Sequence, residues 1–217
     1  MDVVIIGAGG HGKVVLDILR AASSSKIRAV GFLDADPALL GTAVNGLPVL
    51  GPIHHISKLR QQKVSGAIVA IGDNRARFTY ARYLLDEGLE LISAIHPSAV
   101  VSSTARTGRN VVIAAGAIVC TDAQIGDSVI LNTGCIVDHE CEIGEAAHIC
   151  PGVALAGRVR IGAGAFVGLG ARVIQCRTVG EHATIGAGAV VIEDIPADVT
   201  AVGVPARVMT ISASLAA

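Results

Sequence analysis

The sequence has no tryptophan, only three phenylalanines and two tyrosines, and charged residues make up just 16% of it. A net charge of −1 removes the electrostatic basis for gripping bare nucleic acid or an anionic membrane surface. No uninterrupted apolar stretch approaches the roughly 18 residues that a bilayer-spanning helix needs. The opening MDVVIIGAGG reaches glycine after a short apolar run and carries no basic segment, so no secretory leader is expected. Nor is there a C-x-x-C pair. The five cysteines (Cys120, Cys135, Cys141, Cys150 and Cys176) cannot all pair within one chain, and they read as small core residues of a reduced, cytoplasmic protein. What the chain does hold is small apolar material: hydrophobic residues reach 52% while aromatics are 2%, and 26 of 217 residues are glycine. That mixture suits an aliphatic core between tight turns, and the lack of a three-residue glycine period excludes collagen.

Two periods divide the chain. Up to about residue 95, strand and helix signals alternate. Val3–Ile6 is a short apolar run, followed by glycines and by the helical spacing Val14, Val15, Ile18, Leu19. Further strands are expected at Ile27–Leu33, Ala67–Ile71 and Leu89–Ile95, with a helix over Ala76–Glu87. This is a βαβ pattern with a short parallel sheet of about four strands. Beyond it, every sixth residue from Val101 to Val191 is aliphatic in fifteen of sixteen cases, Thr107 being the exception. Glycine follows that position at 108, 126, 144, 162 and 180, a spacing of eighteen. Six-residue rungs in an eighteen-residue super-period describe a parallel β-helix of triangular section, with aliphatics inside and glycine or small residues at the corners. The expected division is an α/β domain over 1–95, a β-helix over 96–195 and a C-terminal tail over 196–217.

The segments GAGGHGKVV (7–15), FLDAD (32–36), VAIGDN (69–74), IHPSA (95–99), NTG (132–134), VDHE (137–140) and GVPAR (203–207) extend the comparison over the whole chain. Together with the hexads they resemble the hexapeptide-repeat sugar O- and N-acetyltransferases of sialic acid, bacillosamine and perosamine pathways. The similarity is greatest to the GDP-perosamine N-acetyltransferase type. The resemblance implies left-handed coils, where ordinary crossover rules favour right-handed ones. It also implies acetyl-CoA as cosubstrate, no metal, a homotrimer, and a nucleotide-linked amino sugar as acceptor.

The stretch VDHECEIG (137–144) gathers Asp138, His139, Glu140 and Glu142 in a chain otherwise poor in charge. In the hexad register Val137 and Ile143 point inward, which leaves the charged residues around a corner. A solvated corner would also carry charge, but three acids around one imidazole favour chemistry. Acetyl transfer to an amine needs a base, and a carboxylate beside an imidazole orients it and strengthens it as one. His139 and Glu140 supply both parts if the corner turns their side chains to one side. In the resembling family the matching histidine is the general base and the next acid raises its basicity. The positions matching His148, Gly157 and Leu169 are placed with acetyl-CoA. Gly157 lies one coil above His139, where a missing side chain leaves room for a thioester and a backbone N–H for its oxyanion. Asp138 and Asn132 read as corner hydrogen bonders. His139 and His148 lie half a coil apart, so they are expected to meet across a subunit interface.

Gly7-Ala8-Gly9-Gly10-His11-Gly12 follows a strand and opens a helix, the context of a phosphate-binding turn. Asp34 ends the second strand, where dinucleotide enzymes bind ribose. Taken alone, this fits an NAD-binding oxidoreductase carrying a structural solenoid. The short sheet argues for a single nucleotide instead, and the resembling family uses the positions of Gly9, Gly10, His11, Asp34 and Gly72 for a nucleotide-linked sugar. The reading is an acetyl-CoA-dependent N-acetyltransferase acting on a GDP- or UDP-linked 4-amino-4,6-dideoxyhexose. Sialic acid O-acetylation is the alternative, and a pure scaffold solenoid is disfavoured by the His-Glu pair.

Overall fold

A computed structural model describes residues 1–22 and 27–209. Its larger part is a left-handed β-helix whose two-residue strands pair in parallel at an offset of eighteen, for example Val112 with Ile130, Ile130 with His148, and His148 with Phe166, until the last coil, where Thr184 pairs with Thr200 at an offset of sixteen. From Ile113 to Val191 the inward residue of each strand is buried, so Ile113, Leu131, Ile149, Val167 and Ile185 stack into one aliphatic column. Between strands the chain turns through four residues. The third of these holds a left-handed φ of 55–68° at every sixth position from Asn110 to Gly188. The glycines at 108, 126, 144, 162 and 180 do a different job from this turning. A Cβ at Gly144 would lie 2.5 Å from the Ala163 nitrogen of the next coil, so these glycines permit close stacking of the coils.

The prism has three unlike faces. On the docked face, Ala94, Val112 and Ile130 point outward and pack with Val15, Leu19 and Ile92 of the α/β part. His148, Phe166 and Thr184 continue that outward row upward. A second, apolar face presents Val100, Ile118, Ile136, Ala154 and Val190, interrupted by Arg172. The third face is polar, with Arg106, Gln124, Glu142, Arg160 and Thr178 outward. The prism starts at Ala94–Ile95 and outlasts residue 195: Thr200–Val202 adds another rung to the docked face. Arg207–Val208 then pairs antiparallel with that rung and closes the row. The segment expected as a tail is therefore partly a cap; its residues 210–217 lie outside the described residues.

The α/β part is larger than the four strands expected. Its strands are β1 (Asp2–Ile6), β2 (Arg28–Leu33), β3 (Ala43–Val44), β4 (Leu47–Gly51), β5 (Gly66–Val69) and β6 (Glu90–Leu91), in the order β3-β4-β2-β1-β5-β6. The two additional strands form a hairpin across Asn45-Gly46, both at positive φ, a two-residue turn that the Asn-Gly dipeptide favours. The strand expected over Leu89–Ile95 is split in two. Glu90–Leu91 stays in the sheet, while Ala94–Ile95 begins the prism. Helices α1 (Gly10–Ala21), α2 (Ile56–Gln61) and α3 (Asn74–Asp86) complete the unit, and the Asp73 side chain caps α3.

Arg77 of α3 joins the two parts. It is wholly buried, and its guanidinium donates to the carbonyls of Ile71, Gly72, Ser128 and Ala146 and to the Asn74 side chain, at 2.7–3.1 Å. Asn74 in turn donates to the Gly164 carbonyl at 2.9 Å. Residues 128, 146 and 164 are the same corner position in three successive coils, so one helical turn reads three rungs. Burial pushes the guanidinium pKa down to about 10, with Asp73 opposing, so the group stays charged at neutral pH. Replacing Arg77 by Met removes the donors and leaves several buried carbonyls unpaired. The expected loss is about 3–5 kcal/mol of stability, the usual cost of breaking a buried charged network. Denaturant melts of wild type and Arg77→Met check this, and Arg77→Lys is expected to recover little because an ammonium lacks the forked geometry.

Candidate active site

His139 and Glu140 are the two central residues of the corner between the apolar and polar faces. On a straight strand their side chains would diverge. Here Glu140 takes a φ of 56°, which turns its carboxylate toward the preceding ring, and His139 Nδ1 lies 3.0 Å from Glu140 Oε2. The backbone N–H of His139 donates to Asp138 Oδ1 at 2.7 Å, fixing the start of the turn. A carboxylate accepts only from Nδ1–H, so the lone pair of the neutral ring is on Nε2, the nitrogen on the Gly157 side, which could accept a proton. Both side chains are about half exposed, at 49% and 53%, and open to a substrate. Gly157 lies against this ring: a Cβ there would fall 2.5 Å from His139 Cε1. Its bareness therefore makes room for the imidazole itself, before any thioester is considered.

A second assembly occupies the carboxyl ends of β1, β2 and β5, where the strand order reverses around β1 and ligands bind in open α/β sheets. Gly9, Gly10, His11, Asp34 and Gly72 all line one pocket of about 380 Å³ there, together with Ile53 and Tyr80. The loop glycines divide by what a side chain would meet. At Gly7 (φ 99°) a Cβ would press on the Ala70 carbonyl, and at Gly12 it would overlap the Gly7 carbonyl, so these two serve packing. At Gly9, Gly10 and Gly72 nothing lies within 4 Å, which leaves open backbone for a ligand. Asp34 does more than was expected of it. Its carboxylate accepts from the Ala8 N–H at 2.6 Å and the Asp36 N–H at 2.9 Å, holding the glycine loop in shape while lone pairs remain for a ribose.

The remaining expected residues do not gather around His139. His148 is outward on the docked face, the side of the triangle opposite the His139 corner, and is only 9% exposed. Its ring centre lies 6.5 Å from that of His11 and 5.2 Å from that of Phe166. Burial lowers the pKa of both histidines to about 4, His148 helped by Arg77 and His11 by His148 and Arg77, so both rings are neutral at pH 7. Leu169 stands 59% exposed on the corner between the docked and apolar faces. Within one chain, then, His148, Gly157 and Leu169 lie on a face and two different corners, and no single groove holds them. Among the described residues no cluster of side chains suits a metal. Two cysteines depart from the core reading: Cys176 is exposed, two coils above Glu140, and Cys120 is only partly buried, while Cys135, Cys141 and Cys150 are buried.

Residues 2–84 match the family model for the PglD N-terminal domain. Perosamine N-acetyltransferase from Caulobacter crescentus, a histidine mutant solved in complex with CoA and GDP-perosamine, is 47% identical and aligns with a TM-score of 0.93 over 97% of each chain. The chain belongs to the hexapeptide-repeat sugar acetyltransferases. The acetyltransferase domain of PglB from Neisseria gonorrhoeae is 37% identical, with a TM-score of 0.89, over 96% of this chain and 99% of that one. UDP-N-acetylbacillosamine N-acetyltransferase of Bacillus subtilis is 38% identical over 116 residues, 52% of this chain, so the match spans about half (51%) of that curated relative. In this acetyltransferase the sequence analysis passed over Arg77, Ile53 and Tyr80. Arg77 had a visible signal, a cation four residues after the Asp73 cap and on a side of α3 that has to be buried.

Replacing His139 by Ala or Asn is expected to leave the fold intact and to cut turnover roughly 10²–10⁴-fold, the usual share of a general base. Glu140→Gln should cost less, because it loses orientation of the ring but not the ring. Steady-state rates with an amine acceptor decide, and near wild-type turnover in His139→Ala rejects the assignment. Gly9→Val fills open pocket without a backbone clash. It is expected to raise KM for the nucleotide sugar while KM for acetyl-CoA holds; the reverse pattern would mean that the pocket serves acetyl-CoA.

Proposed function

We propose that this acetyltransferase transfers acetyl from acetyl-CoA to the 4-amino group of a nucleotide-linked 4-amino-4,6-dideoxyhexose, in the cytoplasm, for surface polysaccharide or glycan synthesis. The observation that carries the reading is the His139–Glu140 pair, an imidazole oriented by a carboxylate on an exposed corner, in a chain that also holds a nucleotide-sized pocket. The amine nitrogen attacks the thioester carbonyl, His139 Nε2 takes the proton released from nitrogen, and the CoA thiolate leaves. Most of the acceleration comes from holding amine and thioester together, with proton removal added to it. The full-length similarity to a perosamine enzyme supports a GDP-linked sugar, and the Bacillus subtilis relative keeps a UDP-linked sugar in view.

The two halves of this site sit on opposite sides of one prism: the pocket lies against the docked face and the base on the far corner. A sugar held in the pocket reaches a base only if a second chain brings its corner alongside. A homotrimer built through the apolar Val100–Ile118–Ile136 face would do so three times over. Gly157 is on the same side as His139, so it is not a suitable complementing position. The pocket is one.

Acetyl-CoA offered with GDP- and UDP-linked 4-amino sugars should release free thiol only with the amino sugars. Equal release with the matching 4-hydroxy sugars would overturn N-acetylation. Co-expressing His139→Ala subunits with Gly9→Trp subunits is expected to restore activity that neither homotrimer has. An active monomer in sedimentation, or inactive hybrids, would place base and pocket in one subunit.

A further inference from the structure

Among the described residues, two buried ring nitrogens at the junction of the two domains have no hydrogen-bond partner, His11 Nε2 and His148 Nδ1. The other nitrogen of His148 does have one. His148 Nε2 lies 3.2 Å from Asn132 Nδ2, and Asn132 Oδ1 accepts the Thr133 backbone N–H at 2.8 Å. A backbone amide can only donate, so the atom facing it is the side-chain oxygen and the Asn132 orientation is determined by the chain. The NH₂ group that this turns toward His148 can also only donate. Nε2 therefore accepts, and a neutral His148 carries its single proton on Nδ1. The titratable and charged groups facing the ring are His11 of α1, 6.5 Å away between ring centres, and Arg77 of α3; burial and Arg77 disfavour a second proton and outweigh the Gly72 carbonyl, which favours it.

We propose that Asn132 is a positioning residue that fixes His148 as the Nδ1–H tautomer, so that this buried N–H donates to an uncharged oxygen of a bound substrate. A buried donor without a partner is costly in the empty protein, and a ligand oxygen removes that cost on binding. Such an oxygen is either a hydroxyl of the sugar, which can bond His11 Nε2 in either tautomer of that ring, or the carbonyl of the thioester. His148 in this tautomer is a donor and takes no proton from the amine, which leaves the base role with His139. The inference deepens the proposed reaction and rests on it for the ligand, while the tautomer itself is a property of the substrate-free protein.

The test uses the protein labelled with ¹⁵N-histidine. In the wild type at pH 7, His148 should show a protonated Nδ1 and an unprotonated Nε2. Asn132→Asp is nearly isosteric but accepts where Asn donates, so the proton should move to Nε2. With that variant kcat/KM should fall roughly tenfold, the loss of one hydrogen bond. A carboxylate beside the ring raises its pKa, and protonation returns an N–H to Nδ1. The ratio of variant to wild-type activity should therefore climb as pH falls. A raised KM for the nucleotide sugar identifies the sugar hydroxyl as the partner; a raised KM for acetyl-CoA, or a lowered kcat alone, identifies the thioester carbonyl. A wild-type His148 protonated on Nε2, or a tautomer that Asn132→Asp leaves in place, overturns the proposal. Failure of every amino sugar in the thiol assay would sink the reaction and leave the tautomer result standing.

Discussion

The eighteen-residue offset between paired strands is the constraint on which the rest depends. Each strand contributes only two residues, too few to pair stably alone, so a rung is ordered by the rungs above and below it. Register is then inherited from coil to coil until the last one: because Ile130 pairs with His148, the residue over His139 is Gly157. The left-handed residue at each corner is part of the same constraint, and at Glu140 it has a local consequence. The φ that turns the coil also brings the carboxylate back to its neighbouring imidazole.

Docking of the α/β part on one face makes the molecule one-sided. Apolar contacts of Val112 and Ile130 with α1 supply area, and the Arg77 and Asn74 bonds to three successive corners supply registry. Apolar packing alone tolerates sliding by a rung; a forked guanidinium aimed at particular carbonyls does not. The same arginine bonds the Ile71 and Gly72 carbonyls, so a single side chain ties the wall of the pocket lined by Gly9, Asp34 and Gly72 to the prism.

Much of this was legible in the sequence, for reasons that differ by residue. The hexad period, the glycine loop and the His-Glu pair are local signals, written in neighbouring residues or at fixed spacing. The hairpin at Asn45-Gly46 was equally local and was passed over because β3 is only two residues long. Arg77 is a different case. A helix shows that one side is buried, but which carbonyls lie beneath it depends on how two separately patterned units dock. Asp34 was read from its strand-end position as a ribose ligand, and its bond to the Ala8 N–H became visible only when two loops 26 residues apart in sequence met.

The sequence by itself determined the prism, its three-sided section and the corner on which His139 stands, because stacking at a constant interval translates periodicity directly into position. It also determined that a nucleotide-type loop precedes the prism. Only the tertiary structure decided that the pocket opens against the face opposite that corner and that, within one chain, His148 is buried beside His11. It alone brought the Asn132 amide to the His148 ring. These are relations between residues far apart in sequence, governed by docking and by the direction of individual donors, and no period in the sequence encodes them.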